Sequence, residues 1–416
     1  MKIAFFTDTY YPQINGVTVS IENYARSLRK RGHTVYIFAP KLKGYGDTDE
    51  YVQRLTSLKI LSSEPEARIP VLIPNSSLRR LFRLNFDIVH AHGNGVFSFL
   101  GYEVSRVKGT PFIMTFHTLH TKYTHYILKG RLLRPGMVAS GLRVFANLCD
   151  SVITPSAKME QELRAYGVRK PIYVVPNFIQ ASAFEGVEKG YLHKLLGLGT
   201  SERLILTVGR LGKEKNFDFV IKVFAQVAKK QAAAHLVVVG NGPEKRSLVK
   251  LSQELKIASK VHFPGNISTA VMPKVYADAE LFVFASTTET QGICVLEAAT
   301  ARLPLVVADD SAYDKVVLEG VNGFRLPLNQ RVFAEKITSI LDNREWALSL
   351  GKNSAAVAKK NFDEAKLIGK MEDCYQETIE KYGHKERIVK RIINRTSLIR
   401  LLRATEALNK FFNYVK

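Results

Sequence analysis

Ser286-Thr-Thr-Glu-Thr-Gln-Gly-Ile-Cys-Val-Leu-Glu-Ala-Ala-Thr300 is the stretch on which the reading of this chain turns. Just before it, Ala279-Glu-Leu-Phe-Val-Phe-Ala285 is short and apolar and ends in Ser/Thr turn residues, the pattern of a buried strand. From Gly292 to Ala301 the residues are Ala-, Leu- and Glu-rich with helical spacing. The stretch therefore reads strand, loop, helix. Glu289 falls in the loop at the strand's carboxyl end and Glu297 inside the helix, with Gln291, Gly292 and Ile293 between them. Open α/β sheets bind ligands at that edge. A carboxylate in the loop suits sugar hydroxyls, and one further along suits a ribose diol. The bare spacing equally fits a surface helix carrying two solvated acids.

The same alternation runs through the chain. Lys2-Ile-Ala-Phe-Phe-Thr7 reads as a strand, Asp8 to Val17 as a loop with Asn15-Gly16, Thr18 to Arg31 as a helix stopping at Gly32, and Thr34-Val-Tyr-Ile-Phe-Ala39 as a second strand. A glycine at a helix N-terminus suits an approaching phosphate, and equally a plain turn. Asn15-Gly16-Val17 is not the G-x-G-x-x-G of a dinucleotide site. Asp87-Ile-Val-His-Ala-His-Gly93 and Pro111-Phe-Ile-Met-Thr-Phe-His-Thr118 follow, and five of the ten histidines lie within 90–125. No carboxylate or cysteine completes a ligand set beside them, so no metal site is expected. Their position at several strand ends predicts that they line a cleft. Ser151–Ser156 and Pro171–Asn177 close the first sheet.

Arg203-Leu-Ile-Leu-Thr-Val-Gly209 opens a second series. Arg210 and Lys215 follow it directly, and cations beside a helix N-terminus make a diphosphate clamp or, equally, a solvated turn. Ala234–Val239 with Gly240-Asn241-Gly242, Val261–Gly265, the opening stretch, and Leu303–Ala308 complete it; Val321-Asn-Gly-Phe324 reads as loop. The chain is thus two successive α/β sheets with a seam near 178–200, followed by a long helical pattern from Glu364 to Lys381.

At 416 residues, two or three domains are expected. Cys149, Cys294 and Cys374 are too few and too scattered for a disulfide frame or zinc cluster, which points to a reducing compartment. Asp8 interrupts the N-terminus too early for a signal peptide, and no apolar run is long enough to span a bilayer. The net charge of +22 calls for an anionic partner. It is unevenly spread: residues 1–176 carry 24 Lys/Arg against 12 Asp/Glu, 177–383 carry 27 against 24, and 384–416 carry 9 against 2. Ser77-Leu-Arg-Arg-Leu-Phe-Arg-Leu84 places Leu78, Leu81 and Phe82 on one helical face with Arg79, Arg80 and Arg83 between, a cationic amphipathic helix. Lys129, Arg131 and Arg134 form a second basic loop, and Ile388–Val415 repeats the theme. An anionic membrane surface is the expected partner. No nucleic-acid motif is present, so nucleic acid is not.

Taken together, Asn15-Gly16-Val17, Thr115-Phe116-His117, Gly209-Arg210-Leu211 with Glu214-Lys215, Gly240-Asn241-Gly242 and the Glu289/Glu297 pair resemble the retaining GT-B glycosyltransferases of family 4, over nearly all of residues 1–382. His117-Thr-Leu-His-Thr-Lys-Tyr-Thr-His-Tyr-Ile-Leu-Lys-Gly-Arg-Leu-Leu-Arg-Pro135, with Ala308-Asp-Asp-Ser-Ala-Tyr313 and Val321–Phe324, is similar more narrowly to the bacterial diacylglycerol α-glucosyltransferases.

The resemblance implies an α/β protein of two Rossmann-like lobes facing each other across a cleft, with a C-terminal helix crossing back to the N-terminal lobe. The expected division is an acceptor-binding, membrane-facing lobe at 1–180 with the crossing helix 364–383, a nucleotide-sugar lobe at 181–363, and a basic amphipathic tail at 384–416. By carry-over, Arg210 and Lys215 bind the diphosphate, Glu297 the ribose and Glu289 the sugar hydroxyls. The backbone at Gln291, Gly292 and Ile293 meets the phosphates, Gly16 lets the first loop approach them, and Gly209, Gly240 and Asn241 complete the donor site. His117 sits near the reacting sugar, so His117, Arg210, Lys215 and Glu289 form the catalytic set. Arg79, Arg80, Leu81, Phe82, Arg83, His125, Lys129, Arg131 and Arg134 serve acceptor or membrane. The implied reaction moves glucose from UDP-glucose, without a metal cofactor, to 1,2-diacylglycerol at the cytoplasmic face of the membrane, where the protein is peripheral. Another donor (UDP-galactose, GDP-mannose), a non-lipid acceptor, or a sugar-nucleotide epimerase remain as alternatives. Pro176-Asn-Phe-Ile-Gln180 departs from the family's Pro-Asn-Gly-Ile-Asp, which leaves the hinge contact open.

Overall fold

A computed structural model describes residues 1–13, 15–59, 68–71, 75–118 and 135–393, with the side chains of the last helix described to Tyr382. His120, His125, Lys129, Arg131, Arg134 and most of the basic tail lie outside the described residues. The chain divides into two compact units, Met1–Pro176 with Ala365–Lys416, and Asn177–Glu364. The division falls at Pro176/Asn177, slightly before the expected seam.

In the first unit the strands are β1 (Lys2–Thr7), β2 (Thr34–Pro40), β3 (Val52–Leu55), the short pair β4 (Ser57–Lys59) and β5 (Arg68–Pro70), then β6 (Ile88–His92), β7 (Phe112–Thr115), β8 (Ser151–Thr154) and β9 (Ile172–Val174). Seven of them form one sheet in the order β3-β2-β1-β6-β7-β8-β9, every neighbouring pair parallel. Parallel strands buried on both faces read as continuous apolar runs, as Ile3–Phe6 and Ile113–Met114 do. The helices are α1 (Gly16–Lys30), α2 (Ser76–Arg83), α3 (Val96–Lys108), α4 (Pro135–Leu148) and α5 (Ala157–Ala165). Asn15 caps α1 by accepting from the Thr18 amide at 3.0 Å.

The second unit holds β10 (Arg203–Val208), β11 (Ala234–Val239), β12 (Val261–Gly265), β13 (Leu281–Phe284), β14 (Leu305–Ala308) and β15 (Gly323–Leu326), with α6 (Tyr191–Leu196), α7 (Phe217–Val227), α8 (Lys245–Glu254), α9 (Met272–Ala277), α10 (Ile293–Thr300), α11 (Gln330–Asp342) and α12 (Arg344–Asn361). Its six-stranded sheet runs β12-β11-β10-β13-β14-β15, again all parallel. The expected loop at Val321–Phe324 is corrected here: Gly323 opens β15, whose backbone pairs with Leu305–Ala308. A Cβ on Gly323 would stand 2.2 Å from the Leu305 carbonyl oxygen, so glycine is what lets this edge strand close in.

The last helix, α13 (Glu364–Ile393), packs from Ala365 onward on the first unit. Leu367, Ile368, Met371, Cys374 and Tyr375 are buried. Polar ties fix its register: Glu372 lies 2.7 Å from the His33 ring, Thr378 is 2.8 Å from Ser151, and Tyr173 donates to Glu377 at 2.7 Å.

The amphipathic helix forms as expected but uses its apolar face at home. Leu81 is fully buried, and Leu78 and Phe82 pack against the same core. Lys108 donates to the carbonyls of Phe82 and Leu84 at 2.9 and 2.7 Å, fastening the end of α2. Leu81 is therefore corrected from a membrane contact to a core residue, because its burial serves the protein's own sheet. Arg79, Arg80 and Arg83 remain on the surface. Among the described residues no helix is long and apolar enough to cross a membrane.

Candidate active site

Both sheets reverse strand order once. In the second unit the reversal lies between β10 and β13, and crevices at such switch points are where open α/β sheets take ligands. Each strand ends there in one of the loops singled out from the sequence. After β10 come Gly209, Arg210 and Lys215; after β13 come Ser286–Gln291.

The backbones of the loops after β10 and β11 are interlocked. The Gly209 amide donates to the Val239 carbonyl at 3.0 Å, and the Leu211 amide to that of Asn241 at 2.9 Å. Gly240 holds φ +131°, and a Cβ there would lie 2.0 Å from the Gly209 carbonyl oxygen. No other residue fits. This glycine thus sets how closely the Gly240-Asn241-Gly242 loop meets the clamp loop.

Lys215 and Glu289, 74 residues apart, form an ion pair through Nζ and Oε1, with both side chains about 15% exposed. Nothing in the spacing of the two motifs announced this. The expected diphosphate cation and the expected sugar carboxylate are thus each other's partners. Arg210 is half exposed and donates to Glu214 at 3.0 Å, whose carboxylate is buried. Asn216, left-handed at φ +54°, donates to the Ala285 carbonyl at 2.9 Å and so ties the clamp loop to the end of β13.

The loop leading into α10 is held just as firmly. Tyr313 donates from its hydroxyl to the Ser286 carbonyl at 2.8 Å. Gly292 precedes the helix at φ +75°, and a Cβ there would meet the Tyr313 ring at 2.7 Å. No side chain caps α10, whose first residue is Ile293. The Gln291 side chain is buried against Asn177. Gln291 Oε1 accepts from the Asn177 amide at 2.7 Å and from Asn177 Nδ2 at 2.8 Å, and Gln291 Nε2 donates to the Asn177 carbonyl at 2.8 Å. Asn177 belongs to the Pro176-Asn-Phe-Ile-Gln180 segment, at a position where that segment keeps the family's residue. Further along α10, Glu297 Oε2 accepts from the Tyr276 hydroxyl at 2.7 Å. Burial pushes the Glu297 carboxyl up to about 7, against the lowering effect of that hydrogen bond. Tyr276 was not anticipated; its partner is 21 residues away on another element.

At the first unit's switch point, between β1 and β6, the ends of β1, β6 and β7 carry Asp8, His92 and His117. The expectation that the histidines line an open cleft is corrected for the first two: His90 and His92 are buried. His90 lies 2.7 Å from the Tyr375 hydroxyl through Nδ1 and 2.6 Å from Thr115 through Nε2. His92 Nδ1 lies 3.1 Å from His117 Nε2, the rings stacked at 19°. Desolvation depresses all three imidazoles, His90 to about 3 and His117 to about 4. Asp8 accepts from the Phe97 amide at 2.9 Å and from Ser98 at 3.3 Å, capping α3, and burial raises its carboxyl. Gly16 is exposed at the start of α1. Among the described residues no three His, Cys, Asp or Glu side chains converge as a metal-ligand set.

Known proteins fit this geometry. The description "Glycosyl transferases group 1" matches residues 192–357, and "Glycosyltransferase Family 4" matches residues 14–182. An alpha-monoglucosyldiacylglycerol synthase of Streptococcus pneumoniae is 32% identical over 329 residues, 78% of this chain and 74% of that protein. A protein of the same name from Acholeplasma laidlawii is 27% identical over 396 residues, 92% and 99% of the two chains. Among solved structures, the sucrose-phosphate synthase of Thermosynechococcus elongatus superposes with a TM-score of 0.73 at 18% identity, covering 91% of this chain and 99% of that one. An Anabaena protein crystallised with UDP and glucose superposes at 0.70 and 19% identity, covering 91% and 100%.

Proposed function

The chain belongs to the GT-B glycosyltransferases of family 4 and is related to diacylglycerol glucosyltransferases, and on that premise we propose that it moves glucose from UDP-glucose to diacylglycerol with retention at the anomeric carbon. The observation that carries this reading is the Lys215–Glu289 pair at the β10/β13 switch point, with Arg210 and the uncapped start of α10 on the same sheet edge. A sugar diphosphate presents one anion and one set of hydroxyls. Lys215 takes the anion, and Glu289, released from its cation, takes the hydroxyls. Glu297 accepts from the ribose diol.

In the reaction the bond between the anomeric carbon and the diphosphate oxygen breaks on the face from which the acceptor arrives. Arg210, Lys215 and the α10 amides stabilise the charge gathering on the diphosphate. The acceptor hydroxyl forms the new bond to the anomeric carbon and its proton passes to the departing diphosphate oxygen. No metal is required, because fixed cations of the protein do the neutralising. His117, held neutral by burial, supports the sugar through a hydrogen bond.

The lipid acceptor is supported by the two glucosyldiacylglycerol synthases among the relatives and by the positive charge of the first 176 residues. Arg79, Arg80 and Arg83 face solvent on α2 and suit an anionic leaflet, each contributing roughly 1 kcal/mol near the surface. The protein then works as a peripheral enzyme at the cytoplasmic leaflet.

The test is a partition assay. Purified protein is incubated with diacylglycerol in anionic liposomes and radiolabelled UDP-glucose, UDP-galactose or GDP-mannose. Label entering the organic phase from UDP-glucose, as an α-linked product and with chelator present, is the expected result. Label from another donor reassigns the sugar; conversion of the UDP-sugar without acceptor makes the protein an epimerase and overturns the reading.

A further inference from the structure

Gln291 stands immediately before Gly292 and the start of α10, where the backbone is expected to meet the phosphates. Its side-chain amide faces away into the protein. Gln291 is 3% exposed and Asn177 6%, and the three hydrogen bonds between them, 2.7 to 2.8 Å long, use the Gln291 amide on both its oxygen and its nitrogen. Two of the three end on the backbone of Asn177. The contact therefore grips a segment 114 residues away whatever that segment's side chain does.

This placement has a geometric consequence. Gly292 is in the left-handed region, a Cβ there would meet the Tyr313 ring, and α10 has no side-chain cap. A left-handed turn into a helix whose first amides have no side-chain cap has little of its own to fix where those amides point. On its N-terminal side the Tyr313–Ser286 bond holds the loop, and on its C-terminal side the buried face of α10 does. Between them, Lys215 holds Glu289, and Gln291, next to the turn itself, ties it to Asn177.

We propose that Gln291 and Asn177 are positioning residues: the Gln291 side chain touches no substrate, and by latching the turn to the Asn177 backbone it aims the first amides of α10 at the donor's diphosphate. The inference rests on the donor site described above. The latch acts on phosphate recognition and leaves recognition of the nucleoside alone. Its signature is thus a ratio rather than an overall loss.

The test measures binding of UDP and of uridine to the full-length protein by calorimetry, alongside the melting temperature. Wild type binds UDP far more tightly than uridine. Gln291→Leu, which removes all three bonds, lowers the UDP-to-uridine affinity ratio by about tenfold or more, with uridine affinity unchanged. Asn177→Ala, which of these three bonds removes the one from Nδ2, lowers it by about two- to threefold. If Gln291→Leu does not fold, Asn177→Ala decides alone. A ratio equal to wild type in a folded variant, with only the melting temperature reduced, makes the latch merely structural and overturns the proposal. A wild-type protein that does not discriminate UDP from uridine overturns the donor-site reading itself, a failure distinct from that of the latch.

Discussion

The two sheets of this protein share one topology and end in opposite electrostatics. At the β10/β13 edge the chemistry is charged: Arg210, Lys215, Glu289 and a Glu297 whose carboxyl titrates near neutrality. At the β1/β6 edge the described groups His90, His92, His117 and Asp8 are driven toward their neutral forms. His90 and His117 are held at about 3 and 4, His92 is depressed with them, and Asp8 is raised. The same strand order thus supplies only a place. What is put there, paired charges or desolvated neutral groups, decides whether the edge suits an anion or an uncharged alcohol.

The largest expected effect tests the charged edge. On the proposed mechanism, Lys215→Ala lowers kcat for glucosyl transfer by about 10²–10³-fold, since it would remove a preorganised cation from the leaving diphosphate and also strips Glu289 of its partner. Arg210→Ala falls in the same range. His117→Ala, on the neutral edge, costs about tenfold because a single neutral hydrogen bond is lost. Initial rates with UDP-glucose decide it. Should His117→Ala prove as damaging as Lys215→Ala, the division of labour between the edges is wrong.

The next effect concerns the exposed arginines of the first unit. Replacing Arg79, Arg80 and Arg83 together by Gln weakens binding to anionic vesicles by about 10–100-fold at low salt, from roughly 1 kcal/mol for each charge. UDP affinity stays at the wild-type value, because these residues are on the other unit's surface. Vesicle sedimentation across a salt series measures the first, calorimetry the second.

Much of this was legible beforehand for one reason: parallel sheets alternate apolar strands with helices, and the loops at the carboxyl ends carry the unusual residues. The strands at Lys2–Thr7, Arg203–Val208 and Leu281–Phe284, and the loops after them, follow from that pattern. The partners did not. Lys215 finds Glu289, Gln291 finds Asn177 and Glu297 finds Tyr276 across separations that no local period encodes. The arginine-rich helix misled for a related reason. Leu78, Leu81 and Phe82 make an apolar stripe that a membrane or a core would use equally well, and only packing shows that the core has it. Gly323 read as a turn because glycine in an edge strand is visible only once Leu305 is beside it.

The smallest effects sharpen the comparison through pH. The buried histidines have folded-state values below the ordinary 6.5, so the unfolded chain takes up protons first as pH falls. Their contribution is complete above about pH 6.5 and is lost on descending toward pH 3, with raised Asp8 offsetting part of it. Glu297 works in the other sense. Its folded-state value of about 7 exceeds the ordinary 4.5, so the folded form holds its proton longer, and stability contributed by this group is lost as pH rises from 4.5 through 7. Glu297→Gln should therefore stabilise the second unit at pH 8 by about 1–3 kcal/mol and change little at pH 5. The protein's single tryptophan, Trp346 on α12, lies in that unit, so urea unfolding followed by its fluorescence reports there. Amide exchange along β1 reports on the first. Acid should loosen β1 while sparing the Trp346 transition, and Glu297→Gln should shift the Trp346 midpoint only at the alkaline end. A Trp346 midpoint that moves equally at both pH values would show that Glu297 is ionised throughout, and the second edge would then be uniformly charged rather than poised.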